Sequence, residues 1–342
     1  MKKSTDYDWS VPGAYQVSEG VYRIPLPLPG DGLRAVNTYV IVEDGTVVCV
    51  DSGWALPDSR RLFRQALSSL GLGESDIDRF LVTHVHRDHY TQAIAIRTSL
   101  ATHVSLGRGE QEALEVIAAP DRVPMEPHIG QLRLHGAPKL ASEIATLAAR
   151  RQEDNGIRWE PPDEWLEEGE LAIGETRRLR VVETPGHTRG HVVFHDQAAG
   201  LLFAGDHVLP TITPSIGFEP VLSPNPLGDY LGSLARVREL PDALLLPAHG
   251  GVTSSAHMRI DELVSHHDRR LGETLAALDA GAQTAFEVAS LLRWTRRERS
   301  IDELDLFNQM LAVSETAAHL KLLVAQGRVM RTLDQSVYIY TV

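Results

Sequence analysis

The stretch THVHRDHY, residues 83–90, places three histidines and an aspartate within six positions, His84 to His89. Imidazole nitrogens and carboxylate oxygens in combination suit a borderline metal ion such as zinc. Their i, i+2 and i+5 spacing converges side chains only where the chain turns. Residues of the same kinds recur at Asp51 in VVCVDSG, His187 in TPGHT, Asp206 in LLFAGD and His249 in LLLPAHG. Each follows an apolar run, and most stand beside a glycine. A polar cluster delivered repeatedly to strand ends points to one shared site.

The elements that must position these residues alternate between strand and helix patterns. VNTYVIVED and TVVCVDSG join at Gly45 as a hairpin. PDSRRLFRQALSSLGLG is apolar at Leu62, Phe63, Leu67 and Leu70, a helical period that ends in glycines. DRFLVTHVHRDH reads as a buried strand that turns polar after Thr83 and hands the histidines to a loop. THVSLGRG and EQEALEVIAA follow as strand and helix. Strands resume at RLRVVETPG, HVVFHD and GLLFAGD, with a helix at PLGDYLGSLARVRELP and a strand at ALLLPAHG. A layered α/β architecture is expected.

Two segments differ in character. Residues 120–168 hold six of the 19 prolines, the helical stretch PKLASEIATLAARRQ, and Trp159 and Trp165. Beyond residue 256 the pattern becomes three helices followed by two short strands around Asp334, the order of a winged helix. A catalytic unit over 1–255, with 120–168 inserted, and a terminal module over 256–342 are expected.

Composition excludes some functions. The chain of 342 residues carries 33 Lys and Arg against 46 Asp and Glu, a net charge of −13. Such a surface repels polyanions, so a nucleic-acid partner is not expected. Residues 251–342 hold ten basic against twelve acidic residues, and the third helix, VSETAAHLKLLVAQG, has one Lys and no Arg. RWTRRER, 293–299, reads as a solvated face. No run approaches the ~18 apolar residues of a membrane span. MKKSTDYDWSVPGAYQ lacks the apolar stretch of a secretory leader. A cytoplasmic location is expected by elimination. Cys49, the single cysteine, excludes an intrachain disulfide and reads as a core residue.

THVHRDH, TPGHTRGH, FAGDHVL and PAHG, in that order across roughly residues 20–255, resemble the successive motifs of the metallo-beta-lactamase fold superfamily. The resemblance implies a four-layer αββα sandwich. It also implies that His84, His86 and His187 hold one metal, that Asp88, His89 and His249 hold a second, and that Asp206 bridges them. Asp51 would orient a ligand histidine, and His191 would support the site. Two zinc ions per chain are expected, with iron or manganese as alternatives. In such a site two close cations generate a bridging hydroxide that attacks a polarised carbonyl, with Asp88 accepting a proton.

The bridging Asp206 is similar to that of glyoxalase II-like (hydroxyacylglutathione hydrolase-like) thioesterases, lactonases and ribonuclease Z, not of true beta-lactamases, and the loop HVLPTITPSIGFEPVLSPNPLGDY resembles a substrate-side loop of the glyoxalase II-like branch. That implies a small-molecule acyl substrate, a thioester of the acyl-CoA or acyl-glutathione type, ahead of a lactone. Readings of other classes are an endoribonuclease or phosphodiesterase and a mononuclear iron sulfur dioxygenase. His86 stands where flavodiiron proteins usually carry Glu, which argues against oxygen reduction. His207, Tyr230 and Trp159 are the candidate substrate contacts, and 120–168, with Met125 and Trp165, is a candidate apolar lid. The terminal module is expected to pack on the catalytic unit or to mediate a homodimer. His103, His128, His135, His195, His257, His266, His267 and His319 read as surface or satisfied structural residues.

Overall fold

The computed structural model describes residues 8–30, 32–150 and 157–342. The two N-terminal lysines, the end of the expected helix at Arg151 and Gln152, and the rest of the 151–156 part of the candidate lid lie outside these residues.

A first sheet is laid down in chain order. It comprises β1 (Tyr15–Ser18), β2 (Val21–Pro27), β3 (Ala35–Glu43), β4 (Thr46–Val50), β5 (Arg79–Val82), β6 (His103–Gly107) and β7 (Glu164–Leu166). β1 to β4 pair antiparallel, and β4 to β7 pair parallel. The expected hairpin is β3–β4, turned by Asp44 and Gly45 with φ of 50° and 81°. Both values are positive, as a two-residue hairpin turn with the twist of its strands requires. Helices α1 (Pro57–Ser69) and α2 (Arg87–Leu100) make the parallel crossovers, and α3 (Gln111–Ala118) follows β6. On α1, Phe63, Ala66 and Leu67 face the sheet and are buried, as the 3.6-residue period demands.

Two helices, α4 (Glu126–Leu134) and α5 (Pro138–Arg150), precede β7. The second sheet contains β8 (Gly169–Ile173), β9 (Arg177–Glu183), β10 (Val192–Asp196), β11 (Leu201–Gly205) and β12 (Leu244–Pro247), ordered β12-β11-β10-β9-β8. α6 (Pro226–Glu239) joins β11 to the parallel β12. The chain continues through α7 (Ala256–Asp279), α8 (Ala285–Leu291) and α9 (Leu306–Ala325) into a hairpin, β13 (Met330–Asp334) and β14 (Val337–Thr341).

Three apolar cores define the layers. Between the sheets lie Val21, Tyr39, Ile41, Val50 and Leu81 from the first and Val181, Phe194, Phe203 and Leu246 from the second. Tyr39 and Phe203 meet edge to face, with ring centroids 5.5 Å apart. The outer face of the first sheet packs Ile24, Cys49, Phe80 and Val104 against Phe63, Tyr90 and Ile94 of the helices. On the outer face of the second sheet, Val182, Val193 and Leu202 share a core with Leu234, Leu263, Leu320 and Leu323. The architecture is therefore a four-layer αββα sandwich with a helical terminal module.

That third core also takes in Ile129, Leu132, Leu140 and Ile144 of α4 and α5. Phe286 N–H of α8 donates to the His135 carbonyl at 3.0 Å, and Tyr340 N–H to the Gln283 carbonyl at 2.8 Å. The described helical part of the insertion, a candidate lid in the sequence, is thus packed into the terminal module. α9 buries Met310, Val313, Leu320 and Leu323 and packs on α5, α6, α7 and α8. The helix that a winged helix would offer to a groove is enclosed. β1, β2, β7 and β8 were not anticipated; β7 has three residues, and β8 is an edge strand that buries only Ile173 fully. Among the described residues, no helix is long and apolar enough to cross a membrane.

Candidate metal centre

β4 and β5 run in the same direction, so their C-terminal ends deliver Asp51 and the Thr83–His89 segment to one rim. β9, β11 and β12 also share a direction, because β10 opposes both β9 and β11, and β11 is parallel to β12. Their C-terminal ends deliver His187, Asp206 and His249. The seam between the two sheets is tight. A Cβ on Gly190 would lie 2.0 Å from the Glu110 backbone nitrogen, and one on Gly205 would lie 2.7 Å from both His191 Nε2 and Thr83 Oγ1. Glycine at these positions lets the two rims close on each other.

Within the motif, Val85 is buried in the apolar core while His84 and His86, on either side of it, turn to the cleft. His86 is the N-cap of α2. Asp88 and His89 therefore occupy the first helical turn, where a carboxylate is favoured by the helix dipole.

Hydrogen bonding fixes the protons on four imidazoles. Carbonyls only accept, so His187 Nδ1 donates to Ser215 O at 2.8 Å and His249 Nδ1 donates to Ala35 O at 2.8 Å. His89 Nδ1 donates to the Asp51 carboxylate at 2.8 Å. Thr83 Oγ1 gives its proton to Asp51 and so accepts from His84 Nδ1 at 3.0 Å. In the neutral imidazole, Nε2 is in each case left as a lone pair directed into the cleft. Asp51 stands at φ 58°, a left-handed conformation that Asp tolerates better than most residues.

These atoms form two groups. His84 Nε2 and His187 Nε2 lie 2.9 and 3.1 Å from His86 Nδ1, and Asp206 Oδ2 is 3.4 Å from His187 Nε2. On the other side, His249 Nε2 lies 3.3 Å from Asp206 Oδ1 and 3.5 Å from Asp88 Oδ2. His89 Nε2 lies 3.6 Å from Asp88 and 3.7 Å from Asp206. A tetrahedron of ~2.0 Å bonds to zinc has edges of about 3.3 Å, close to these separations. His89 Nε2, His249 Nε2 and Asp206 Oδ1 are buried with no hydrogen-bond partner. Orphaned lone pairs and carboxylates facing one another are the complement of a cation, so the residues fit divalent metal ions.

Electrostatics agree. Burial and neighbouring imidazoles hold His84 well below its ordinary value, and His86 is pushed down to about 3, mainly by burial. Burial also opposes charge on His89, but Asp51, Asp88 and Asp206 outweigh it and lift the group to about 10. His249 is raised in the same way, against burial, by Asp206 and Asp88. The carboxylates draw positive charge into the Asp88–His89–His249 side.

His191 does not join either group. Its Nε2 accepts the Asp206 backbone N–H at 3.1 Å, Nδ1 meets Thr184 Oγ1 at 2.8 Å, and the ring stacks on His84. It holds Asp206 in place. The substrate-side expectations need correction. Tyr230 is fully buried, and its hydroxyl donates to the His207 carbonyl at 3.0 Å, so it has no face toward the cleft. His207 is also fully buried and packs on Tyr230, with its ring 6.0 Å from that of His191. Trp159 packs over Tyr90, ring centroids 6.5 Å apart, in a segment tied to α2 by Tyr90 and Arg97. Two supporting residues escaped sequence reading. Thr83 lay inside the quoted motif, and Asn37, a polar residue in an apolar strand, holds the His249 loop through Pro247 O and Gly250 O.

Fold and donor set together define a metal-dependent hydrolase site. The metallo-beta-lactamase superfamily profile matches residues 31–249, and the chain belongs to that family. A metallo-beta-lactamase-like C-terminal domain profile matches residues 271–342. Among solved structures, a metallo-beta-lactamase family protein from Thermus thermophilus is 30% identical with a TM-score of 0.77, covering 95% of this chain and 99% of that one. The probable metallo-hydrolase YqjP of Bacillus subtilis (strain 168) is 25% identical over 90% of this chain and 93% of its own. An Aspergillus novofumigatus (strain IBT 16806) relative named atrochrysone carboxyl ACP thioesterase is 24% identical over 79% of this chain and 66% of its own.

Proposed function

We propose that this chain is a dinuclear metal-dependent thioesterase. The observation that carries the dinuclear reading is the Asp206 carboxylate, with Oδ2 toward the His84–His86–His187 group and Oδ1 toward the Asp88–His89–His249 group. His84, His86 and His187 would hold one ion and Asp88, His89 and His249 the other. Divalent ions bound there supply a water acidified to near neutrality and polarisation of an acyl carbonyl. Asp51, Thr83, Ser215 O and Ala35 O keep four Nε2 lone pairs aimed inward. Asp88, partly open to solvent, is placed to take up a proton.

The donor set supports the choice of substrate class. With metal ions bound, the four inward Nε2 lone pairs and the carboxylates would be taken up as ligands, so these groups present no strong general acid. A thiolate departs without protonation, whereas an alkoxide does not. The thioesterase named among the relatives points the same way. An enclosed α9 and a net-acidic terminal module offer little to a polynucleotide. The test is a substrate panel of acyl-CoA and acyl-glutathione thioesters, acyl-homoserine lactones, a cephalosporin, a phosphodiester and single-stranded RNA. Thioester turnover exceeding all others supports the proposal. Turnover confined to lactones, the phosphodiester or RNA overturns it.

A further inference from the structure

A second cluster of metal-binding chemistry lies outside the cleft. His266 and His267 are consecutive residues of α7, and Glu315 lies on α9; their ligating atoms fall within 4.8 Å of one another. Sequence reading assigned both histidines to the surface or to satisfied structural positions. His267 is neither. It is fully buried, and its Nε2 has no hydrogen-bond partner.

The proton on His267 is placed by a relay. The Glu315 backbone carbonyl can only accept, so His319 Nδ1 donates to it at 2.8 Å. His319 Nε2 is then a lone pair, and His267 Nδ1 donates to it at 3.2 Å. His267 Nε2 is consequently a buried lone pair, and a carboxylate and a second imidazole lie beside this ring. Fixing one ring nitrogen on an acceptor so that the other is presented is how metal-ligating histidines are held. It is the same device that orients the four imidazoles of the cleft.

We propose that His266, His267 and Glu315 form a further metal site that takes a divalent transition metal such as zinc and ties α7 to α9. Two imidazoles and one carboxylate, with a position left for water, suit zinc rather than magnesium or calcium. His266 lines an open groove of about 540 Å³ along α7, beside Ser265, Glu262 and Asp261, which gives the ion a route from solvent. Two guanidiniums oppose occupation: that of the buried Arg270, which acts against positive charge on His266 and His267, and that of Arg269. Arg269 donates to His266 Nδ1 at 3.2 Å, and this exposed guanidinium must swing aside as the metal binds.

The test uses full-length, chelator-treated protein titrated with zinc chloride and, for its spectrum, with cobalt(II). Wild type is expected to bind one more equivalent than His266→Ala or Glu315→Gln, and Asp206→Asn is expected to keep that equivalent. The same equivalent should raise the melting temperature of wild type and not that of the two variants. Arg269→Gln should tighten binding several-fold while leaving the ligands intact, which keeps the proposal testable if a ligand variant folds poorly. Equal metal content and equal thermal shifts in wild type and both ligand variants would overturn it. So would a loss of affinity in Arg269→Gln.

Discussion

Asp51→Asn separates the two halves of the metal centre. The carboxylate accepts Thr83 N–H at 2.8 Å, Thr83 Oγ1 at 3.0 Å and His89 Nδ1 at 2.8 Å. The amide keeps one accepting oxygen. If its NH2 faced Thr83 N–H, two buried donors would collide, so the oxygen goes to Thr83 and the NH2 to His89. His89 Nδ1 must then accept, which moves the imidazole proton to Nε2, the atom that faces Asp88 and Asp206. Replacing the partner that orients a metal-bound histidine typically lowers metal affinity 10- to 100-fold, or about 1.4–2.7 kcal/mol. The expected outcome in a zinc titration against a competing chelator is a split. One equivalent weakens by about 10- to 100-fold, and the one held by His84, His86 and His187 changes far less. Equal weakening of both, or of neither in a folded variant, would refute the tautomer argument.

Other outcomes follow from the same geometry. Gly190→Ala places a Cβ 2.0 Å from the Glu110 backbone nitrogen, so it should destabilise by ~1–3 kcal/mol or more and loosen the His187 loop, read by urea denaturation and zinc affinity. Glu74 binds Arg60 and Arg64 at 2.9 Å each and, despite its burial, is held below the usual carboxylate range by these partners. Its contribution is present above the unfolded value of about 4.3 and is lost as pH falls through the lowered folded value, so the penalty of Glu74→Gln should shrink in acid. Burial pushes Glu219 up to about 8, against the N–H of Arg189. A raised carboxylate binds more protons folded than unfolded, so stability falls as pH rises from about 4.3 toward 8. Thermal melts of Glu219→Gln across that range should show a flatter pH dependence than wild type.

Much of this was legible because the chemistry sits at strand ends. Each apolar run that stops at Asp51, His84, His187, Asp206 or His249 marks both a buried strand and the point where it delivers a ligand or, at Asp51, the group that orients one. Alternation and helical period located β3, β4, β5 and the central helices for the same reason. Short or exposed strands such as β7 and β8 carry no burial signal. The substrate-side residues were misjudged on a different ground. Closeness to Asp206 in sequence says nothing about side-chain direction, and Tyr230 points into the helical core, away from the cleft. His267 was misjudged similarly, since its unsatisfied nitrogen depends on residues 48 and 52 positions away, Glu315 and His319.

Anomalous diffraction from zinc-loaded crystals tests the central claim most directly. The account predicts two peaks in the cleft about 3.5–4 Å apart, one among His84, His86 and His187 and one among Asp88, His89 and His249, with an Asp206 oxygen facing each. A single peak in the cleft, or two peaks that Asp206 does not separate, would contradict it.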